Sequence, residues 1–302
     1  MRPYYKLTDY LRETCHTKVY KLALSTGCTC PNRDGRVGAG GCAFCSEGGS
    51  GEFAAVPAPV TDQIREAKKR VDPKFPARIA PEDRRYIAYF QSFTNTYGDP
   101  ARLETMFLDA ARDPQIAAVS IGTRPDCLGP DIMAMLGRVN AVKPVWVELG
   151  LQTIHDETAR RVNRGYPLRV FEEAYRRLKG AGFYVVVHLI FGFPGESEED
   201  MMASVQYLAD LSPHPDGVKL QLLHILRGTK LGQDYLRVLA DRGGDEAAAD
   251  RPSGSCLWIN TVTWLTGPWP SCRLISVSTG SPATGRRSCS WPRNGARISG
   301  GS

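Results

Sequence analysis

Six short apolar runs rich in β-branched and aromatic residues punctuate the chain, near residues 18–24, 86–91, 117–122, 145–150, 183–190 and 217–222. Runs of this length and composition predict strands buried in a parallel sheet. Between them the apolar period lengthens to that of helices. Asp99 followed by Pro100 is a helix start, with Leu103, Met106, Phe107 and Ala110 on one face. Pro130 opens a second helix, with Ile132, Met135, Leu136 and Val139 inward. Leu168, Phe171, Ala174, Tyr175 and Leu178 make a third, closed by Gly180. Ser197 and Asp200 have capping-box spacing ahead of Val205 and Leu208. This repeated strand–helix alternation predicts an α/β protein with a parallel sheet, either doubly wound or rolled into a full or partial barrel. In each case ligand sites gather at the carboxyl ends of the strands. Those ends fall at residues 28–45, 91–97, 122–127, 148–152, 191–196 and 223–229.

Composition narrows the class. In 302 residues, 42% are hydrophobic and 23% charged, which excludes a disordered chain. No apolar stretch approaches membrane-spanning length, and the start Met-Arg-Pro-Tyr-Tyr-Lys lacks a signal peptide's apolar run, so a cytoplasmic location is expected, without a membrane partner. The net charge of +6 is misleading. Residues 251–302 hold six arginines and no Lys, Asp or Glu, leaving 32 basic and 32 acidic side chains in residues 1–250. The body is therefore neutral, so the pI gives no evidence for a nucleic-acid-binding surface, and no DNA partner is expected.

Residues 241–302 differ from the body, residues 1–240. After residue 250 the chain carries four of the five tryptophans, ten serines and three of the nine cysteines, with no sustained helical or strand period. One reading is a poorly ordered Ser/Gly/Pro-rich tail. The other is a frameshifted translation: codons for Cys256 to Thr261 can encode Leu-Ser-Leu-Asp-Gln-Tyr in the neighbouring frame, a plausible helix start.

Cysteines carry the candidate chemistry. Cys28, Cys30, Cys42 and Cys45 lie in the loop after the first strand, and Cys42-Ala43-Phe44-Cys45 spaces two sulfurs for one metal centre. The Gly-rich segment between Pro31 and Gly41 can bring Cys30 back beside them. Four sulfurs would make a closed structural zinc site, three an iron–sulfur cluster with one open iron, and an incidental redox pair is the plainest alternative.

The strings Cys30-Pro31-Asn32-Arg33-Asp34-Gly35 and Gly40-Gly41-Cys42-Ala43-Phe44-Cys45 resemble the radical S-adenosylmethionine (SAM) superfamily, in particular its YhcC-like branch, related to the catalytic subunit of elongator. Further strings fit in the same order: Tyr89-Phe90-Gln91 with Thr94-Asn95-Thr96, Gly122-Thr123-Arg124-Pro125-Asp126-Cys127, Glu148-Leu149-Gly150-Leu151-Gln152-Thr153, Asn163-Arg164-Gly165, His188 to Glu196, and Leu223 to Thr229. The resemblance spans roughly residues 5–236. It implies a partial (β/α)6 TIM-like barrel, with a [4Fe–4S] cluster on Cys30, Cys42 and Cys45 whose fourth iron is chelated by SAM. It leaves Cys28 as a spare thiol. The implied reaction is one-electron cleavage of SAM to a 5′-deoxyadenosyl radical that abstracts hydrogen from a substrate, the electron coming from a flavodoxin or ferredoxin.

Site roles follow from the resemblance, each beside a plainer reading. Phe44 packs near the adenine, or covers the cluster loop. Gln91 and Ser92 meet the methionine amino group. Glu148, Gln152 and Arg164 serve the ribose hydroxyls and methionine carboxylate; capping by Glu148 and Gln152, and a helix C-terminal cation for Arg164, are the alternatives. Gly192, Gly195 and Glu196 lie where the chain passes the adenine, or where it simply turns. Leu223 and His224 offer backbone contacts to the adenine edge. His188 is expected as a hydrogen-bonded core histidine and Cys127 as a buried structural thiol, while Arg124 and Asp126 contact substrate or each other. The elongator relationship makes wobble uridine of transfer RNA the leading substrate. Lys68-Lys69-Arg70 reads better as a solvated helix face than as an RNA patch. The competing function is a zinc-stabilised nucleotide-binding barrel without radical chemistry.

Overall fold

The computed structural model describes residues 5–49, 54, 57–241 and 275–278. Strands β1 (Val19–Leu24), β2 (Arg85–Phe90), β3 (Ile116–Thr123), β4 (Val145–Gln152), β5 (Tyr184–Phe191) and β6 (Gly217–Leu222) pair in sequence order, every pair parallel. They alternate with helices α1 (Leu7–Cys15), α2 (Val60–Val71), α3 (Pro100–Arg112), α4 (Pro130–Val142), α5 (Asp156–Arg161), α6 (Leu168–Gly180), α7 (Glu198–Asp210) and α8 (Lys230–Asp241). The architecture is a six-stranded parallel half-barrel wrapped by helices. All six expected strands are present, with no end shifted by more than two residues.

Local chemistry accounts for the expected helices. Asp99 Oδ1 accepts from the Arg102 amide at 2.8 Å, and Pro100 occupies the first helical position of α3. Ser197 and Asp200 close their capping box at α7. Leu103, Phe107 and Ala110 of α3, Ile132, Met135, Leu136 and Val139 of α4, and Phe171, Ala174, Tyr175 and Leu178 of α6 are buried. They pack on the outward face of the sheet, against Leu22, Ala88, Val119, Val147, Val187 and Leu220 among others, as one continuous core. The inward face is separate. Near the amino ends of the strands, Ile87, Ala118 and Trp146 pack with Leu11, and Tyr10 of α1 lies against Trp146 and Tyr184 at 6.1 and 6.0 Å between ring centroids. Helix α1 therefore plugs the bottom of the half-barrel.

The reading of the tail needs one correction. Ile275–Ser278 forms a seventh strand, β7, parallel to β6. An edge strand offers unpaired backbone groups, and four residues of alternating Ile-Ser-Val-Ser suffice to take them up, too short a stretch to register as a sustained period. The remainder of 242–302, with the disorder and frameshift readings of the tail, lies outside the described residues. At its near edge Leu222, Ile225, Leu226 and Leu236 are exposed apolar side chains. Among the described residues no helix is long and apolar enough to cross a membrane.

Candidate active site

The cysteine loop is folded by its own turns and clamped from two sides. Asn32 donates through Nδ2 to the Asn163 carbonyl at 2.6 Å and to Cys42 Sγ at 3.6 Å. Asn163, left-handed at φ 53°, returns a bond to the Gly41 carbonyl at 2.8 Å. The Ala43 amide donates to Val162 at 2.8 Å, and the Ala43 carbonyl accepts from Leu231 of α8 at 2.9 Å. Arg33 spends its guanidinium on the carbonyls of Cys45, Ser46 and Glu47 and stacks over Phe93, so it is an internal brace of the loop. These ties gather Cys30, Cys42 and Cys45. Burial, with Cys45 and Cys30 close by, pushes the Cys42 thiol up to about 12, against Arg124 and Asn32. Cys28 is turned elsewhere. Its sulfur is buried in the outer core and accepts from Arg102 at 3.1 Å. The zinc alternative thus lacks the fourth sulfur it was expected to use. Among the described residues no three His, Cys, Asp or Glu side chains stand as ligands of a single ion.

Around this loop the strand ends form a mouth. Asn95 staples three of them, donating to the carbonyls of Phe90 and Gly122 at 3.0 and 2.9 Å and accepting from Thr26 at 2.9 Å. Gln91 and the buried Ser92 follow β2 at this rim. Gln152 ends β4 in the left-handed region, φ 64°, with Oε1 3.0 Å from the Tyr166 hydroxyl. Phe44 lies against Phe193 at 5.5 Å between centroids, in a small apolar cluster with Ala43 and Val162. Gly192 and Gly195 both need positive φ, 93° and 85°, and a Cβ on Gly195 would stand 2.4 Å from Arg161 Nη1. Glu196 is buried and accepts from Thr153, tying the ends of β4 and β5 together. His224 is exposed beyond β6.

Two expected contacts are not brought to the mouth. Arg164 is buried, donating to the carbonyls of Leu151, Thr153 and Tyr166 and to Asp156. Its guanidinium holds the β4–α5 turn. Glu148 sits mid-strand, its side chain inside the half-barrel and fully engaged there. The open question at β3 also closes: Arg124 pairs bidentately with Asp126 at 2.9 and 2.7 Å and donates to the Arg164 carbonyl at 2.9 Å. Tyr166, absent from the sequence reading, has both arginines over its ring, at 4.8 and 4.6 Å from the centroid. In the Lys68-Lys69-Arg70 stretch, Lys68 pairs with Asp113 and Lys69 with Glu66.

Residues 25–208 match the radical SAM superfamily model. The chain belongs to the radical SAM superfamily. It is 40% identical over 233 residues to the YtqA protein of Bacillus subtilis, covering 77% of this chain and 70% of that one. It is 34% identical over 219 residues to the YhcC protein of Escherichia coli K12, covering 72% and 67%. Among solved structures it resembles the archaeal Methanocaldococcus infernus Elp3, with TM-score 0.51 and 18% identity over 75% of this chain. The chain spans about half, 49%, of that protein. Superfamily membership implies a [4Fe–4S] cluster and SAM. The donor set fits them: Cys30 and Cys45 lie close enough to Cys42 to act on its charge, and Asn32, which donates to Cys42 Sγ, has its Oδ1 buried without a partner beside Gly38 and Gly165. A Cβ on either glycine would stand 2.4 or 2.8 Å from that oxygen.

One feature of this radical SAM half-barrel escaped the sequence reading. Each strand presents one polar side chain inward at the same level: Lys21, Tyr89, Ser120, Glu148, His188 and Lys219. Glu148 Oε1 accepts from Lys21 at 2.5 Å and Ser120 at 2.6 Å, while its Oε2 meets His188 at 2.7 Å and Lys219 at 3.7 Å. Lys219 also donates to the Tyr89 hydroxyl at 3.1 Å, and Lys21 lies over the Tyr89 ring at 4.2 Å. Burial alone would push the Glu148 carboxyl up, but Lys21, Lys219 and His188 outweigh it and hold it well below the carboxylate range. His188, foreseen as a hydrogen-bonded core histidine, is pushed down to about 4 by burial and Lys219, against the pull of Glu148.

Proposed function

We propose that the chain is a radical SAM enzyme in which Cys30, Cys42 and Cys45 hold the cluster and the rim of the half-barrel holds SAM. The observation that carries this reading is the clamped loop, which gathers three thiols while the core takes Cys28 away. When bound, cluster and SAM supply a 5′-deoxyadenosyl radical for hydrogen abstraction. The protein's part is to bind, orient and shield. Asn32, Asn163 and Arg33 fix the loop that bears the thiols. Gln91, Ser92 and Gln152 offer polar groups at the rim for the methionine and ribose ends of SAM. Phe44, Gly192, Gly195, Glu196 and the backbone near His224 border the adenine. Glu148 and Arg164 act by bracing, since their polar atoms are already committed. The six polar side chains and helix α1 fill the lower half-barrel. An electron donor of the flavodoxin or ferredoxin type supplies the reducing electron, and the cytoplasm is the compartment.

Similarity to the elongator subunit supports a narrower reading, modification of wobble uridine in transfer RNA. Anaerobic reconstitution followed by reduction with SAM tests the main reading. About four irons per chain, a brown colour and 5′-deoxyadenosine as product are expected. A colourless chain holding one zinc would replace it with the nucleotide-binding alternative.

A further inference from the structure

Asn32 is fully buried in the cysteine loop, yet one of its two polar atoms has no partner. Its Nδ2 carries two N–H donors. These reach the Asn163 carbonyl at 2.6 Å and Cys42 Sγ at 3.6 Å. Its Oδ1 faces Gly38 and Gly165, where a Cβ would stand 2.4 and 2.8 Å away, and accepts nothing. Turning the amide over does not relieve this. A flip would bring the oxygen against the Asn163 carbonyl, acceptor on acceptor at hydrogen-bond distance. The backbone of the same residue is also tied, its carbonyl accepting from the Gly41 amide at 2.8 Å. The N–H is therefore held toward the sulfur, and burial keeps bulk water from competing for it. As a loop tie alone this is a poor arrangement, because a buried acceptor left without a donor is costly. Arg124 stands on the far side of the amide. Its Nη2 would lie 3.2 Å from the same Cβ on Gly165, so a guanidinium is on the oxygen side and a sulfur on the nitrogen side. Arg124 and Asn32 both favour negative charge on Cys42.

We propose that Asn32 sets the reduction potential of the cluster through its N–H···Sγ contact with Cys42, besides holding the loop. A thiolate that accepts a hydrogen bond gives less charge to iron, and the reduced, more negative cluster gains more from this than the oxidised one. The bond therefore raises the potential and makes the cluster easier for an outside donor to reduce. Asn32 acts through Cys42 and is a positioning residue. The inference rests on the reading of Cys30, Cys42 and Cys45 as the cluster ligands, and adds what tunes one of the three sulfurs.

The test is stepwise electrochemical reduction of the anaerobically reconstituted full chain without SAM, read by electron paramagnetic resonance of the reduced cluster. Asn32→Ala should move the midpoint to a more negative potential. At a fixed potential the ratio of reduced to oxidised cluster should drop roughly tenfold, a shift of about 59 mV for one electron. Asn32→Asp, which keeps the volume and puts an acceptor where the donor was, should shift it further the same way. Asn163→Gly is the control for a loosened loop. It keeps the left-handed backbone and the carbonyl, and loses the side-chain bonds to Ala39 and Gly41. It should lower the melting temperature and leave the potential in place. In the parent chain, labelled with heavy nitrogen at asparagine side chains only, pulsed resonance should show a nitrogen coupled to the reduced cluster. A parent without that coupling overturns the proposal, whether or not the variants hold a cluster. So does a potential that neither Asn32 variant moves, or one that Asn163→Gly moves as far as Asn32→Ala. A parent that assembles no cluster sinks the radical reading itself. One that assembles it and makes 5′-deoxyadenosine, but fails these comparisons, loses this inference alone.

Discussion

The two faces of the one sheet follow opposite rules although their residues alternate along the same strands. Outward, Leu22, Ala88, Val119, Val147, Val187 and Leu220 are apolar and merge with the helices into one core. One residue away, inward, stand Lys21, Tyr89, Ser120, Glu148, His188 and Lys219, joined by hydrogen bonds and ion pairs. Apolar packing is non-directional and tolerates repacking, whereas a buried polar layer depends on every member finding its partner. The outward face is thus suited to carry stability, and the inward face to carry specificity at some cost in stability. The cysteines repeat the contrast within one loop, with Cys28 in the outer core and Cys30, Cys42 and Cys45 at the mouth.

The cysteine contrast gives the largest expected effect. Cys42→Ala should abolish bound iron and all formation of 5′-deoxyadenosine, while Cys28→Ala should keep both and lower only the melting temperature. Iron analysis of the two variants, reconstituted side by side, checks this. Loss of iron from Cys28→Ala would erase the distinction.

Next come the two faces of β4. Glu148→Ala strands two ammonium groups and should cost about 3–5 kcal/mol. The neighbouring Leu149→Ala opens a cavity in the outer core and should cost about 2–5 kcal/mol. The faces separate when the whole ion network is exchanged. Lys21→Met, Glu148→Leu and Lys219→Met together should recover the stability lost by Glu148→Ala, because a matched apolar replacement of a buried ion network is commonly neutral or stabilising. Denaturant unfolding of the single and triple variants reads the difference.

The smallest effect is in pH. His188 titrates at about 4 in the folded chain against an ordinary 6.5, so between those values the unfolded chain binds more protons. Its contribution is fully present above the ordinary value and is lost as pH falls toward 4. Glu148, held below its usual range, adds a loss of the same sign at still lower pH. Melting temperatures should therefore fall on acidification, less steeply in His188→Gln, whereas the deficit of Leu149→Ala should be the same at every pH.

Much of this was legible along the chain. Apolar runs located the six strands, Asp99, Ser197 and Asp200 announced their helix starts, and the spacing of Cys30, Cys42 and Cys45 marked the loop. The partners of Glu148 and Arg164 were not legible, because their motifs lie near strand ends in sequence while burial and partners are set by other elements. Even the polar floor left a trace, since each apolar run is interrupted by at least one polar residue. The run itself, however, does not say which side of a strand turns inward.

The linear order of residues determined the strand and helix inventory, the capping, and the sulfurs available, since those depend on neighbours a few positions apart. Tertiary structure decided which sulfur faces the core, which arginines are consumed as braces, and that six side chains from six strands meet at one level. Those outcomes depend on strand register and sheet curvature, which bring together residues as distant as Lys21 and Lys219.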